Sequence, residues 1–114
     1  MEIEVPDRKL KRALEDDRER IKRFGADMAK KIRARLGALK AAESLGDFWL
    51  PASGPERCHE LKADLDGLFS MDLKQPYRLL FKPVRDEREK DTDEKQRWLS
   101  IKIIEIVGIE DTHG

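Results

Sequence analysis

Hydrophobic and polar residues alternate with two different periods along the chain. Residues 1–5, MEIEV, alternate apolar and acidic side chains, which predicts a short strand. Asp7, just after Pro6, suits the start of a helix, and Gly25 suits its end. Apolar residues recur at helical spacing on both sides of that glycine, at Leu10, Leu14, Ile21 and Phe24 and then at Met28, Ile32, Leu36 and Leu39. The first part of the chain therefore predicts a helical hairpin.

The second part follows the period of two that is typical of strands. The segment GLFSMDL places Ser70 and Asp72 on the face opposite its apolar residues, and YRLLFKPV places Arg78 and Lys82 on one face. The later run WLSIKIIEIVGI is apolar on both parities from Ile103 onward and predicts a central strand with one or both faces covered. The almost wholly charged segment before it predicts an exposed, flexible loop at 84–97.

These elements predict an α+β fold in which the N-terminal helical hairpin packs on a mostly antiparallel sheet of about four to five strands. A chain of 114 residues supports one modest core, so a single domain over residues 1–114 is expected. The charged fraction of 42% is high, but 39% of the residues are hydrophobic, which is enough for that core.

Charge is balanced overall but unevenly distributed. Residues 1–42 contain 13 Lys or Arg against 8 Asp or Glu, a net of +5, and residues 43–114 contain 11 against 16, a net of −5. The N-terminal third is therefore a candidate surface for a polyanion, although a solvated helix pair with many ion pairs would have the same composition. The charged N-terminus is unlike a signal peptide, and no apolar stretch is long enough to span a membrane, so a cytoplasmic protein is expected.

Candidate chemistry is limited to a few residue types. The sequence lacks a glycine-rich phosphate loop and a metal-binding HExxH signature, and its one cysteine, Cys58, excludes an internal disulfide. Cys58 and His59 are adjacent in a strand and point to opposite faces, so they do not form a nucleophile–base pair easily. Histidine and basic residues without a metal are the groups that cleavage of RNA by its own 2′-hydroxyl requires. The alternative is a structural His59 beside solvent-facing cations.

The segment SGPERCHELKADLDGLFSMDLKQPYRLLFKP resembles the core signature of the HigB-type (plasmid maintenance killer) branch of the RelE/ParE toxin superfamily. The resemblance covers nearly the whole chain except the charged loop. The matching residues are Arg57, His59, Leu61 and Lys62, then Gly67, Leu68, Phe69 and Ser70, then Tyr77, Arg78 and Phe81, and last Asp111 and His113. Thr112 stands where the family usually has a tyrosine.

The resemblance implies a toxin of a type II toxin–antitoxin system that inhibits translation as a ribosome-dependent mRNA endonuclease, without a metal or other cofactor. It implies a cognate antitoxin of the helix-turn-helix class, the ribosome and mRNA as partners, and operator DNA reached only through the antitoxin complex. It implies a catalytic group of His59, Lys62, Arg78, Asp111 and His113, with Arg57 and Lys82 contacting RNA phosphates. Two alternatives stay open: a ParE-like toxin that binds DNA gyrase, and a catalytically inactive relative of the RelE fold.

Overall fold

The computed structural model describes residues 1–62, 65 and 67–111. The elements in chain order are β1 (Glu2–Glu4), α1 (Arg8–Glu15), α2 (Asp17–Phe24), α3 (Ala26–Ala41), a 3₁₀ turn (Leu45–Phe48), β2 (His59–Glu60), β3 (Phe69–Asp72), β4 (Tyr77–Pro83), α4 (Glu94–Ser100) and β5 (Ile103–Asp111). None of the helices within this part of the chain is long and apolar enough to cross a membrane.

The five strands form one sheet in the order β1-β5-β4-β3-β2. β1 runs parallel to β5, and the other three pairs of neighbours are antiparallel. The ladder between β4 and β5 shifts register between Leu80 and Phe81, which face Gly108 and Ile106, so Val107 is the extra residue of a bulge. The predicted α+β fold with a mostly antiparallel sheet is thus confirmed.

The hydrophobic core lies between one face of the sheet and the helices. Along the strands, every second side chain enters this core, as the sequence pattern predicts. The fully buried strand side chains of the core are Phe69, Met71, Leu79, Phe81, Ile104 and Ile106. Ile32 and Leu39 of α3 pack into the same cluster, and Trp98 of α4 meets the Phe69 ring edge-on at 5.5 Å between centroids. Each such side chain contributes about 1.5–3 kcal/mol through burial.

The first predicted helix is divided in two at Asp16. The backbone N–H of Asp16 ends α1 by donating to Arg12, and its carboxylate accepts from the backbone N–H groups of Arg18 and Glu19 at the start of α2. These hydrogen bonds hold the pKa of Asp16 below its ordinary value, and the bond from the Glu19 N–H has the largest effect. The prediction of one helix was wrong. It relied on the apolar spacing, which continues across the break, whereas the Asp16 cap starts a new helix there.

The start of the last strand was also predicted wrongly. Trp98 belongs to α4 rather than to β5, and β5 begins only at Ile103. Asp93 caps α4 by accepting from the Gln96 backbone N–H, and Trp98 turns into the core. Because α4 begins at Glu94, the final part of the predicted loop is helical, and residues 84–93 have neither helix nor strand. The flexibility of that segment stays a prediction.

Candidate active site

The sheet face turned away from the helix-side core brings several of the predicted residues together. The strand register places His59 beside Ser70 and Ser70 beside Leu80. The next row of the same face pairs Asp72 with Arg78, and Arg78 with Glu110. Because residues directly opposite in a sheet share a face, these side chains form one continuous surface, called the second face below.

Two arginines converge on the Asp72 carboxylate at the centre of the second face. Arg57 Nε lies 3.3 Å from Asp72 Oδ2, and Arg78 Nε lies 3.5 Å from Asp72 Oδ1. Asp72 is 8% exposed, whereas the Arg57 side chain is 57% exposed. The two guanidinium groups and the one carboxylate sum to a net positive charge, next to which the register places Glu110 opposite Arg78. The planar fork of a guanidinium suits a phosphate oxygen pair. This Arg57–Asp72–Arg78 cluster is therefore suited to hold one further anion.

The backbone around the cluster is held by a buried arginine of α3. Arg35 Nε donates to the Asp72 carbonyl oxygen at 2.7 Å, and one Arg35 amino group donates to the Pro55 carbonyl oxygen at 2.9 Å. The Asp72 backbone N–H donates to the Glu56 carbonyl oxygen at 2.8 Å. These bonds tie β3 and the loop before β2 to the same helix, so the distance between Arg57 and Arg78 is set by the fold.

His59 is partly exposed on the second face, and its ring orientation defines its proton acceptor. Nδ1 lies 2.9 Å from the Arg57 carbonyl oxygen. A carbonyl oxygen can only accept a hydrogen bond, so Nδ1 carries the proton in the neutral ring and Nε2 carries the lone pair. The geometry thus prepares Nε2 of His59 to accept a proton.

Arg57 has an unusual backbone conformation for a residue with a side chain. Its φ angle is 48°, in the left-handed region. Such a conformation costs about 1–3 kcal/mol and persists where the surroundings enforce it, which is frequent at functional sites. Here the conformation directs the carbonyl group of Arg57 to His59 and its side chain to Asp72.

The other predicted site residues lie on or beside the neighbouring strands, or outside the described residues. Lys62 is exposed and follows β2, and Lys82 forms an ion pair with Glu105 at 3.5 Å. The register pairs Asp111 with Tyr77 and places Glu110 opposite Arg78. His113 and Thr112 lie outside the described residues. Catalytic roles for His59, Lys62, Arg78, Asp111 and His113 stay predictions, as do phosphate contacts by Arg57 and Lys82.

Asp72 and Glu110, the two acidic members of the second face, were not predicted as site residues from the sequence. Asp72 was placed on this face by the alternation of its strand, but its partners depend on the pairing of β2, β3 and β4. Glu110 has the same dependence on register. A slip of one residue would have moved either side chain to the other face, so alternation within one strand could not identify the contacts.

Cys58 is excluded as a nucleophile by its surroundings. It is fully buried in the core, and burial raises the pKa of its thiol to about 12, with a smaller contribution from the charge of Glu56. A neutral, inaccessible thiol does not attack a substrate. Within residues 1–62, 65 and 67–111, no group of three His, Cys, Asp or Glu side chains is placed to hold a metal ion.

Two solved structures share this arrangement of elements. A YoeB/ParE toxin from Agrobacterium tumefaciens aligns over 99% of this chain and 100% of its own, with a TM-score of 0.56 and 16% identity. The YoeB–YefM complex from Staphylococcus aureus aligns over 96% of this chain and 94% of its own, with a TM-score of 0.53 and 16% identity. The chain has the fold of the YoeB and ParE toxins. No protein-family model and no curated protein matches the sequence, and the HigB branch stays a prediction.

Proposed function

We propose that this protein is the toxin of a type II toxin–antitoxin pair and that it cleaves messenger RNA on the second face without a metal. The observation that carries the proposal is the position of His59. Its Nε2 is prepared to accept a proton. His59 pairs with Ser70, two residues along β3 from Asp72 of the Arg57–Asp72–Arg78 cluster. A base beside paired guanidinium groups is the combination that attack by a ribose 2′-hydroxyl requires.

In the proposed reaction the scissile phosphate binds Arg57 and Arg78. The 2′-oxygen forms a bond to phosphorus while its proton passes to Nε2 of His59. The bond from phosphorus to the 5′-oxygen breaks, and the leaving oxygen takes up a proton. The products are a 2′,3′-cyclic phosphate and a 5′-hydroxyl end. His113 is the proposed proton donor, Lys62 supports the phosphate, and Asp111 orients a neighbouring imidazole or basic group.

Asp72 has a positioning role in this proposal. Its carboxylate contacts both arginines through Nε, the nitrogen that lies back from the two terminal amino groups of each guanidinium. The side chains of Arg78 and Asp72 are only 18% and 11% exposed, so losing this carboxylate also lowers stability, and the positioning role is read from kcat in a variant that remains folded. Fixing both guanidinium planes before the substrate arrives lowers the cost of assembling the charged transition state.

The partners follow from the same proposal. The Staphylococcus aureus neighbour is a complex of YoeB with YefM, and we extend that arrangement to a cognate antitoxin, of the helix-turn-helix class according to the HigB resemblance. Operator DNA would be bound only through that complex. Exposed Lys30, Lys31 and Arg33 of α3 provide positive charge that could dock on ribosomal RNA, where phosphate contacts dominate affinity. Action on ribosome-bound mRNA places the protein in the cytoplasm.

Expression in a bacterial host tests the proposal. Wild type should arrest growth and leave cut mRNA, whereas Arg78→Ala and His59→Ala should relieve both effects. Lys95→Ala, a change of an exposed lysine on α4, should behave as wild type. Growth arrest with intact mRNA and inhibited DNA gyrase would instead support the ParE-like alternative. Absence of toxicity for a folded wild-type protein would support an inactive relative.

A further inference from the structure

A groove lies on the helix side of the sheet, between the junction of α2 and α3 and the turn that joins β3 to β4. Its volume is about 420 Å³, within the range of small-molecule sites. Its lining includes Phe24, Asp27, Met28, Lys74, Gln75 and Tyr77. We call this cavity the turn groove.

The walls of the turn groove combine aromatic and apolar surface with polar groups. Tyr77 is 44% exposed, so much of its ring is available to a ligand. Phe24 and Met28 provide further apolar wall, and Asp27 and Lys74 form an ion pair at 3.5 Å. Flat apolar surface with a few hydrogen-bonding groups at its edge is suited to a heteroaromatic ring.

The turn groove is continuous with the Arg57–Asp72–Arg78 cluster. Gln75 lines the groove, and its Nε2 lies 3.4 Å from Asp72 Oδ2. Tyr77 and Arg78 are adjacent in β4 and point to opposite faces of the sheet, so Gln75 is the residue that joins the groove to the cluster. A polyanionic chain with one charge on the two arginines would therefore reach the groove by crossing the turn at Gln75.

Positive charge extends from the turn groove along α3. A second groove of about 470 Å³ shares Asp27 and Lys74 with the first and is lined further by Lys30 and Lys31. An exposed tyrosine ring beside lysines that continue along a helix combines the two features by which proteins hold single-stranded nucleic acid, with stacking for the bases and cations for the phosphates.

We propose that the turn groove binds a nucleobase of single-stranded RNA, stacked on Tyr77, while the adjoining phosphates lie on the lysines of α3 and the strand crosses the turn at Gln75 to reach the arginine cluster. The nature of the ligand rests on the function proposed above, whereas the site rests on the groove and its continuity with the cluster. Stacking accepts any base, so the site provides affinity and register along the strand more than base identity.

Tyr77 is the single tyrosine of the chain, so fluorotyrosine labelling produces one ¹⁹F signal from the groove itself. The probe is a short oligonucleotide with 2′-O-methyl groups throughout, which cannot be cleaved, and inorganic phosphate is the reference ligand. The oligonucleotide should shift the Tyr77 signal upfield through the ring current of a stacked base, and phosphate alone should not. Tyr77→Leu should weaken oligonucleotide binding about 5- to 150-fold, the range measured for single stacked bases.

Tyr77→Phe keeps the ring and should bind within about twofold of wild type, which separates stacking from a loss of folding. An unchanged Tyr77 signal at saturating oligonucleotide, or equal affinity for Tyr77→Leu and wild type, would overturn the proposal. Cleavage of an all-RNA substrate is measured separately. Cleavage without the Tyr77 shift would refute the groove and leave the nuclease function standing. The shift without cleavage would support the groove and refute the nuclease.

Discussion

Arg97 joins three parts of the fold, and its replacement should be among the most destabilising single changes outside the apolar core. Its guanidinium donates to both Glu60 oxygens, at 2.7 and 3.0 Å, and to Asp86 at 2.7 Å, and it lies 5.7 Å from the centroid of the Phe69 ring. The Arg97 side chain is 6% exposed. The hydrogen bonds that Arg97 donates to Glu60 and, second, to Asp86 raise the pKa of Arg97, so the group is charged wherever the protein is folded.

The magnitude follows from what Arg97→Met would leave behind. Methionine retains much of the volume, but the Glu60 and Asp86 side chains, 25% and 15% exposed, would lose their cation. Removing one partner of a largely buried ion pair costs about 3–5 kcal/mol. A domain of this size is stable by about 5–15 kcal/mol, so the variant would keep a reduced margin. With an m value of about 1–3 kcal/mol/M, its urea midpoint should fall by about 1 M or more.

Urea unfolding followed by circular dichroism measures this effect. Arg88→Met is the matched control, because Arg88 pairs with Asp91 at the surface with its side chain 46% exposed, and its loss should cost only about 0–1 kcal/mol. The triple variant Arg97→Met, Glu60→Gln, Asp86→Asn should recover at least half of the loss, since it leaves no unpaired charge. Equal costs for Arg97→Met and Arg88→Met would refute the reasoning.

Three further changes test other parts of the account. Asp72→Asn should lower kcat for RNA cleavage about 10- to 100-fold, with KM unchanged or lower, because the arginines lose their orientation while the net positive charge rises. Its urea midpoint should fall as well, because a buried carboxylate that pairs with two arginines is lost; an unchanged kcat in the folded variant would remove the positioning role. Gly46→Ala should cost about 1–3 kcal/mol in urea unfolding, because its methyl would lie 3.1 Å from the Leu99 Cα; wild-type stability would contradict the packing. The Cys58 thiol should not react with a thiol-modifying reagent in the native protein. Because its folded pKa of about 12 exceeds the ordinary 9.0, its contribution to stability should be lost as pH rises above about 9. A Cys58→Ala variant whose stability falls equally steeply above that pH would contradict this.

Periodicity in the sequence was enough to predict the layers of the fold. The alternation in β4 correctly separates Leu79 and Phe81, which enter the core, from Arg78 and Lys82 on the second face. The apolar stripe of α3 likewise predicts its buried residues, including Leu36 despite the neighbouring Gly37. These successes share one cause, because burial of one face imposes a regular spacing that a sequence displays directly.

The candidate site was less accessible because it depends on contacts between distant segments. His59 and Arg78 were identified through a resemblance, but the central position of Asp72 emerges only from the pairing of three strands. The left-handed backbone of Arg57 has no sequence marker, since glycine or asparagine would be the usual residue. Arg97 was assigned to a charged loop because the partners that bury it lie elsewhere in the chain.

Analysis of the RNA ends is the most direct test of the proposed cleavage. Purified protein is added to ribosomes carrying a defined mRNA, and the termini of the cut strands are identified by mass spectrometry. Attack by the 2′-hydroxyl with His59 as base predicts a 2′,3′-cyclic phosphate and a 5′-hydroxyl, and no cut when the nucleotide before the break carries a 2′-deoxyribose. Ends with a 3′-hydroxyl and a 5′-phosphate, or cleavage of the deoxy-substituted strand, would contradict the account.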